Sequence, residues 1–263
     1  MLLRQRMRNC KYIFYAFSGG RDSQAALELT LPRMLKSGKT VRVLYVDNKS
    51  ERPGIREHCE RICKILGTEL TVIEGPTFQE AYGNKKCWPD SIHRDCIDRL
   101  INSPMDKWIE REIGQEADYV LIRGGRPSQA VRRGPGKQVS KLYQTIKSKP
   151  RLLIYNPLWK HENFMPQLPI WPGYARGYTR TQCYMCPFAS VEDWRNMRRV
   201  DPEHWEEMRG LVEKYALRYY RGDTYPKRFI QYWQNEVGCP VKLFCFGRVF
   251  EAEHIANVKA KKL

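Results

Sequence analysis

The stretch that decides the fold is "KYIFYAFSGGRDSQAALEL", Lys11 to Leu29. Tyr12 to Phe17 is an aromatic and apolar run of strand length. It breaks at Ser18-Gly19-Gly20-Arg21-Asp22-Ser23, and from Gln24 to Ser37 the pattern is helical. A strand that turns through paired glycines into a helix presents successive backbone N–H groups at the positive end of the helix dipole, which suits an anion and above all a phosphate. The spacing is neither the Gly-x-x-x-x-Gly-Lys-Ser/Thr loop of P-loop NTPases nor the Gly-x-Gly-x-x-Gly of dinucleotide folds.

Working outward, Leu27, Met34 and Leu35 supply part of the apolar face of the first helix, and Pro32 is expected to kink it or end it early. Val41 to Val46 is a second strand ending at Asp47. In Ile55 to Leu66 one stripe carries Ile55, Cys59, Ile62, Cys63 and Leu66, so both cysteines are expected in the core, and Gly67 ends that helix as a left-handed cap. "LTVIEG" reads as a third strand, "PMDKWIEREIG" as a helix opened by Pro104, and "DYVLIRGG" as a fourth strand. Strands alternating with helices predict an α/β fold, a doubly wound and mainly parallel sheet. Arg126 to Lys149 is rich in Arg, Lys, Gly, Ser and Gln without periodicity and reads as a mobile basic loop. Pro157 to Pro172 reads as a packed irregular connector. Ser190 with Asp193 resembles a capping box, Asp201-Pro202 opens another helix, and Trp205, Met208, Val212 and Tyr215 share a face of it. The expected division is a nucleotide-binding α/β domain over 1–160 and a helical, cysteine-containing C-terminal segment over 161–263.

The chain has 263 residues, with 46 Lys+Arg against 29 Asp+Glu and a formal charge of +17, which favours polyanionic partners such as nucleic acid or nucleotides over a merely solvated basic surface. No apolar run approaches the ~20 residues of a membrane span, and the start "MLLRQRMRNCKYIF" lacks a signal-peptide pattern, so a cytoplasmic protein is expected. Nine cysteines in such a compartment suggest metal or redox chemistry more than disulfides. Cys183-Tyr184-Met185-Cys186-Pro187 places two thiols in one turn, a spacing shared by zinc sites, iron–sulfur sites and redox dithiols. Cys239 and Cys245 lie in an apolar stretch and read as core. The five histidines form no metal spacing, and His93 is set apart only by lying three residues before Cys96.

The loop resembles the Ser-Gly-Gly-x-Asp-Ser pyrophosphate loop of the ATP-pyrophosphatase (PP-loop, adenine nucleotide α-hydrolase-like) superfamily, and further segments resemble its phosphoadenosine phosphosulfate reductase-like family. Asp47 stands where that family has an acidic or polar residue near the adenosine. "RDCIDRLINSPMDKWI" puts Cys96 at the position of the cluster or substrate-site cysteine. "RGGRPSQAVR" is similar to Gly-x-Arg-x-x-Glu-Ser-x-x-Arg, giving Arg126 and Arg132 as anion-binding candidates, although Gln129-Ala130 replaces Glu-Ser. "IYNPLWKHENF" is similar to a Pro-Leu-x-x-Trp segment and "GYTRTQCYMCPF" to Gly-Tyr-x-Arg-x-Gly-Cys-x-x-Cys-Pro-Phe.

The resemblance implies ATP and Mg²⁺ as cofactors, with Ser18, Gly19, Gly20 and Ser23 around the pyrophosphate, Asp22 toward Mg²⁺ and Arg21 toward the phosphates. It also implies a [4Fe–4S] cluster on Cys96, Cys183 and Cys186, with Cys87, Cys239 or Cys245 as fourth ligand or one iron left open. A structural zinc site is the alternative. The expected function is an ATP-dependent sulfurtransferase that adenylates an oxygen of DNA (phosphorothioation) or tRNA (thiolation). The basic stretches Arg126 to Lys149 and Arg195 to Arg199 would act as a nucleic-acid track, and a cysteine desulfurase is a candidate sulfur donor. One alternative is a sulfonucleotide reductase, against which stands the tail "EAEHIANVKAKKL", without the Glu-Cys-Gly of the family's reductases. A second is a non-catalytic nucleotide-binding partner in a phage or DNA-modification complex.

Overall fold

The computed structural model describes residues 2–82, 95–128, 141–181, 183, 186, 189–211, 231–232 and 235–237. Their contacts divide into two compact units. One takes in Met1–Asp47, Pro53–Glu74 and Pro104–Tyr174, the other Asn48–Arg52, Gly75–Ser103 and Ala175–Leu263.

The first unit is built on a six-stranded sheet of β1 (Tyr12–Ala16), β2 (Thr40–Asp47), β3 (Leu70–Glu74), β4 (Tyr119–Ile122), β5 (Tyr143–Ile146) and β6 (Lys149–Tyr155), in the order β3-β2-β1-β4-β6-β5. All neighbours are parallel except β5 and β6. The central strands are apolar on both faces, with Ile13, Phe14, Val43, Leu44, Val120 and Leu121 buried, as a sheet covered twice requires. Successive strand residues point to opposite faces, and their partners show which helices lie where. Tyr15 shares a 2.9 Å hydrogen bond with Thr30 of α2 (Arg21–Leu35), whereas its neighbour Phe14 meets Trp108 of α5 (Ser103–Ile113) edge-on at 6.2 Å. α2 and α5 therefore cover opposite faces, and the fold is doubly wound.

α3 (Ile55–Ile65) buries Ile55, Cys59, Ile62 and Cys63, and Gly67 adopts φ +69° just past its end, both as the sequence predicts. α2 departs from expectation twice. It runs through Pro32, because a proline in the final turn forfeits one i→i−4 bond with little helix left to break. Leu35 is exposed, and Leu31 instead joins Gln24 and Leu27 on the buried face. The expected basic loop over Arg126 to Lys149 is corrected in its last part. Tyr143–Ile146 forms β5 and pairs antiparallel with β6, with a register shift between Thr145 and Ile146. The polar composition hid it because β5 is a short edge strand whose residues are half-buried or exposed. An eight-residue helix, α1 (Leu2–Asn9), precedes β1 and is tied down by Arg6, which pairs with Asp118.

In the second unit, α4 (Phe78–Tyr82) and a π-helical turn at Asp98–Asn102 are joined by α6 (Val191–Val200) and α7 (Pro202–Leu211). Ser190 and Asp193 make the predicted capping box at the start of α6. Trp194 and Trp205 both pack on Tyr232, with ring centroids 5.2 and 5.9 Å away. Among the described residues no helix is long and apolar enough to cross a membrane. Val212 and Tyr215 of the expected helical face lie outside the described residues.

Candidate nucleotide and thiol sites

In the order β3-β2-β1-β4, the chain runs outward from β1 to β3 and then returns to the other side of β1. The strand order therefore reverses between β1 and β4. In open α/β sheets the crevice beyond the carboxyl ends of the strands at such a reversal is where ligands bind. Ser18–Ser23 follows β1 and Arg123–Arg126 follows β4, so both of these loops open onto that crevice.

The loop holds its shape through its own side chains. Ser23 Oγ donates to the Gly20 carbonyl at 2.9 Å, leaving it to accept from the Ser18 hydroxyl at 3.1 Å and the Ser18 N–H at 3.3 Å. Gly19 sits at φ +69°, where an added Cβ would also lie 3.0 Å from Ile55 and 3.1 Å from the Cys59 sulfur. Position and space both call for glycine. The approach from β4 is tighter still. A Cβ on Gly124 would fall 2.4 Å from the backbone carbonyl carbon and oxygen of Asp22 and 2.6 Å from the Ser23 nitrogen. The second strand loop is thus pressed directly against the first turn of α2.

Arg126 completes the arrangement. It is 7 % exposed, its Nε donates to Asp22 at 2.5 Å, and its two terminal nitrogens donate to the carbonyls of Glu162 and Phe164. Arg21 stacks on the Tyr174 ring with its guanidinium carbon 4.0 Å from the centroid, while the Tyr174 hydroxyl accepts the Arg21 N–H at 3.3 Å. An α-helix leaves its first N–H groups without intrahelical carbonyls, and here a tyrosine just past the connector meets one of them. Tyr174 is itself braced edge-on by Trp171, whose indole N–H reaches the Pro53 carbonyl at 3.3 Å. Asp47, at the end of β2, accepts from Arg56 at 3.2 Å.

Beneath the loop lies a polar network without a signal in the sequence. Gln24 donates to Glu28 at 2.8 Å and to the carbonyls of Leu168 and Pro169, and its own oxygen lies 3.0 Å from His58 Nε2. Arg61 donates to His58 Nδ1 at 3.2 Å, and since a guanidinium only donates, the ring is the neutral Nε2–H form. Burial, and then the charge of Arg61, pull His58 down from 6.5 to about 4. The unfolded chain therefore takes up a proton at higher pH than the folded one. The corresponding stability is full above about pH 6.5 and is lost as pH falls toward 4, by at most about 3 kcal/mol. Urea unfolding at pH 7 and pH 5 should show that loss, and His58→Gln should flatten the slope.

The thiols form a separate group in the second unit. Glu51 and Cys183 make an antiparallel β-bridge, and the Cys186 N–H turns back to the Cys183 carbonyl at 3.1 Å. Cys96, Cys183 and Cys186 are half-buried; Cys96 feels the charge of Cys186, and Cys183 feels that of Cys186 and of Cys96. Burial first and Cys186 second push Cys96 up to about 11, and burial with Cys186, Glu51 and Cys96 raises Cys183. Three thiols gathered in this way are the donor chemistry of a soft cation, whose charge would reverse the upward shifts of Cys96 and Cys183. In kind they fit a zinc ion or an iron–sulfur cluster. Among the described residues, no three ligating side chains stand at metal-holding spacing, so the set offers proximity without a closed coordination shell. Asp95, next to Cys96, accepts from Tyr82 at 2.9 Å and from Arg99. Arg132, Cys87, Cys239, Cys245 and His93 lie outside the described residues. In α6, Arg195 donates to Glu236 at 2.8 and 2.6 Å, and Arg199 donates to Asn196 at 2.6 Å, so part of this basic stretch is engaged internally.

For the nucleotide cofactors the fit is direct. Asp22, about one-third exposed, is a carboxylate able to hold a divalent ion that arrives with phosphates, provided Arg126 releases it. The residues that sequence reasoning missed are Gly124, Tyr174, Gln24 and Arg52, while Asp193 is read there only as half of a capping box. Of the missed four, Gly124 carried a cue, as part of a glycine pair at a strand end.

No family model matches the chain. An uncharacterised protein of Methanocaldococcus jannaschii is 25 % identical over 234 residues, covering 86 % of this chain and 46 % of that protein, so the chain spans about half the length of this relative. Among solved structures, the chain is similar to a phosphoadenylyl-sulfate reductase from Candida auris (TM-score 0.47, 15 % identity, 70 % of this chain and 87 % of that one). It is also similar to an FMN adenylyltransferase from Candida glabrata (TM-score 0.43, 17 % identity, 69 % and 58 %). A doubly wound sheet with Ser-Gly-Gly-Arg-Asp-Ser at its reversal point is the arrangement that the resemblance to the ATP-pyrophosphatase superfamily implies.

Proposed function

We propose that the chain is an ATP-using PP-loop enzyme that activates an oxygen of a nucleic acid for replacement by sulfur. The observation that carries the reading is the meeting of the loops after β1 and β4 at the reversal of the sheet, with Arg126 paired to Asp22 and Arg21 stacked on Tyr174. Glycine backbone, helix N-terminus, two arginines and one carboxylate are the groups a Mg²⁺-polyphosphate needs.

The chemistry divides between the two units. A base carbonyl or phosphate oxygen attacks the α-phosphorus of ATP, the new O–P bond forms, the bond to the β-phosphate oxygen breaks, and pyrophosphate leaves. Ser18, Gly19, Gly20 and Ser23 bind the leaving group, Arg21 offsets its growing charge, and Asp22, once released by Arg126, holds the divalent ion. A sulfur nucleophile then forms its bond to the activated carbon or phosphorus as AMP departs. Cys96, Cys183 and Cys186 would hold the cluster, which supplies a thiophilic iron on which sulfur can be carried. The +17 charge suits a polynucleotide substrate.

The test is exchange of labelled pyrophosphate into ATP, run separately with duplex DNA and with tRNA, beside iron, zinc and sulfide content of protein purified without oxygen. Exchange that depends on one polynucleotide is the expected result and names the substrate. Asp22→Asn should lower it at least about a hundredfold while leaving metal content unchanged. Absence of exchange with both polynucleotides would overturn the nucleic-acid reading, and one zinc without iron would overturn the cluster.

A further inference from the structure

Cys183 and Cys186 lie between Thr179 and Ser190 in the chain, and one side chain receives both of these residues. Asp193 accepts the Thr179 N–H at 2.8 Å on one oxygen and the Thr179 hydroxyl at 2.6 Å on the other. That second oxygen also accepts the Ser190 hydroxyl at 2.7 Å and its N–H at 3.4 Å. A capping box requires only the Ser190 half of this set. The Thr179 half ties a residue 14 positions upstream to the same carboxylate.

The carboxylate is in turn fixed by a cation. Arg52 donates to Asp193 at 3.1 Å and to the Arg180 carbonyl at 3.3 Å, and stacks on the Tyr178 ring 4.0 Å from its centroid. Both charged side chains are wholly buried. Arg52 lies one residue from Glu51, whose backbone forms the bridge to Cys183. The two ends of the cysteine segment, the Arg180 carbonyl and Cys183 itself are thus tied to Asp193 or to residues 51–52. Burying such a pair is costly and is poorly explained as a source of stability alone.

We propose that Asp193, held by Arg52, is the positioning residue of the thiol site: by tying both ends of the segment it orders Cys183 and Cys186 for a soft metal ion or cluster. The proposal rests on the thiol-site reading above, and its two measurements separate the failure of one from the failure of the other. The first needs no metal. Site-resolved iodoacetamide alkylation, read by mass spectrometry on the full apo chain, should find Cys183 and Cys186 modified about tenfold faster in Asp193→Asn than in the wild type. The second is titration with Cd²⁺, followed by thiolate-to-metal absorption. Affinity should fall about tenfold or more, the size usual when a supporting contact to a ligand is lost.

Because Asp193→Asn also weakens the cap of α6, Thr179→Val provides the decisive case. It removes the upstream hydroxyl bond and leaves the Ser190 cap in place. Faster alkylation and weaker Cd²⁺ binding with an unchanged melting temperature are expected of a positioning contact. Wild-type alkylation and Cd²⁺ binding in both folded variants would overturn the proposal. Failure of the wild-type chain to bind Cd²⁺ would overturn the thiol-site reading, and the alkylation comparison would still decide whether Asp193 orders the segment.

Discussion

Gly124→Ala is expected to remove nucleotide binding and to destabilise the first unit by about 3 kcal/mol or more, the upper range for overpacking. The clash would be with main-chain atoms, the carbonyl of Asp22 and the nitrogen of Ser23, each nearer than 3 Å to the added carbon. A long side chain could rotate away, but a helix's first turn can yield only by moving as a whole. The atoms displaced would be those that shape the phosphate loop. Isothermal titration with ATP and chemical denaturation would read the two effects. Gly210→Ala is the comparison, since Gly210 lies in α7 with nothing within 4 Å of an added Cβ. There the substitution should be neutral or stabilising by up to about 1 kcal/mol through helix propensity. A Gly124→Ala protein with native stability and ATP affinity would mean that the loops after β1 and β4 do not meet.

The second large effect is expected at Arg52. Arg52→Met preserves much of the side-chain volume but leaves Asp193 buried with its charge and without its cation, a situation that costs about 3–5 kcal/mol. Burial alone would raise the Asp193 carboxyl, yet the hydroxyl and N–H of Thr179, the Ser190 hydroxyl and Arg52 together hold it below the ordinary carboxylate range. In the wild type, this stabilisation is present above the ordinary carboxylate range and is lost as pH falls through the lowered value. The variant lacks the ion pair at any pH and regains a neutral Asp193 in acid. The difference between the two proteins should therefore narrow as pH falls below about 4. Denaturation curves at pH 7 and pH 3.5 would show it, and a gap independent of pH would assign the loss to packing.

The core of this architecture is legible because its signals are local. The Tyr12 to Phe17 run, the glycine pair and the helical period after it predict β1, the loop and α2. The stripe over Ile55 to Leu66 predicts α3 together with the burial of Cys59 and Cys63. The capping box at Ser190 is legible for the same reason, since its two residues are three apart. Other features are set by partners distant in sequence. Gly124 is critical because of Asp22, 102 positions earlier, and Tyr174 because of Arg21. Asp193 reads as half of a capping box, and nothing near it announces Thr179 or Arg52. His58 reads as a surface or packing histidine on a basic, acidic and cysteine-bearing helix, and its pairing with Gln24, 34 positions earlier, is a tertiary contact that nothing local announces. Pro32 shows the opposite error, a strong local rule made harmless by its place in the last turn.

The antiparallel strand β5 has a consequence at the margin of the sheet. An exposed strand with unpaired N–H and C=O groups can recruit a strand from another chain, and proteins blunt such margins with short strands, lysines and irregular pairing. β5 has four residues, shifts register between Thr145 and Ile146, and lies in a stretch containing Lys141, Lys147 and Lys149. A parallel strand in its place would have offered a straight, regular template. Among the described residues β5 is the last strand on that side, and its tight, lysine-flanked hairpin makes a poor template for a stray strand.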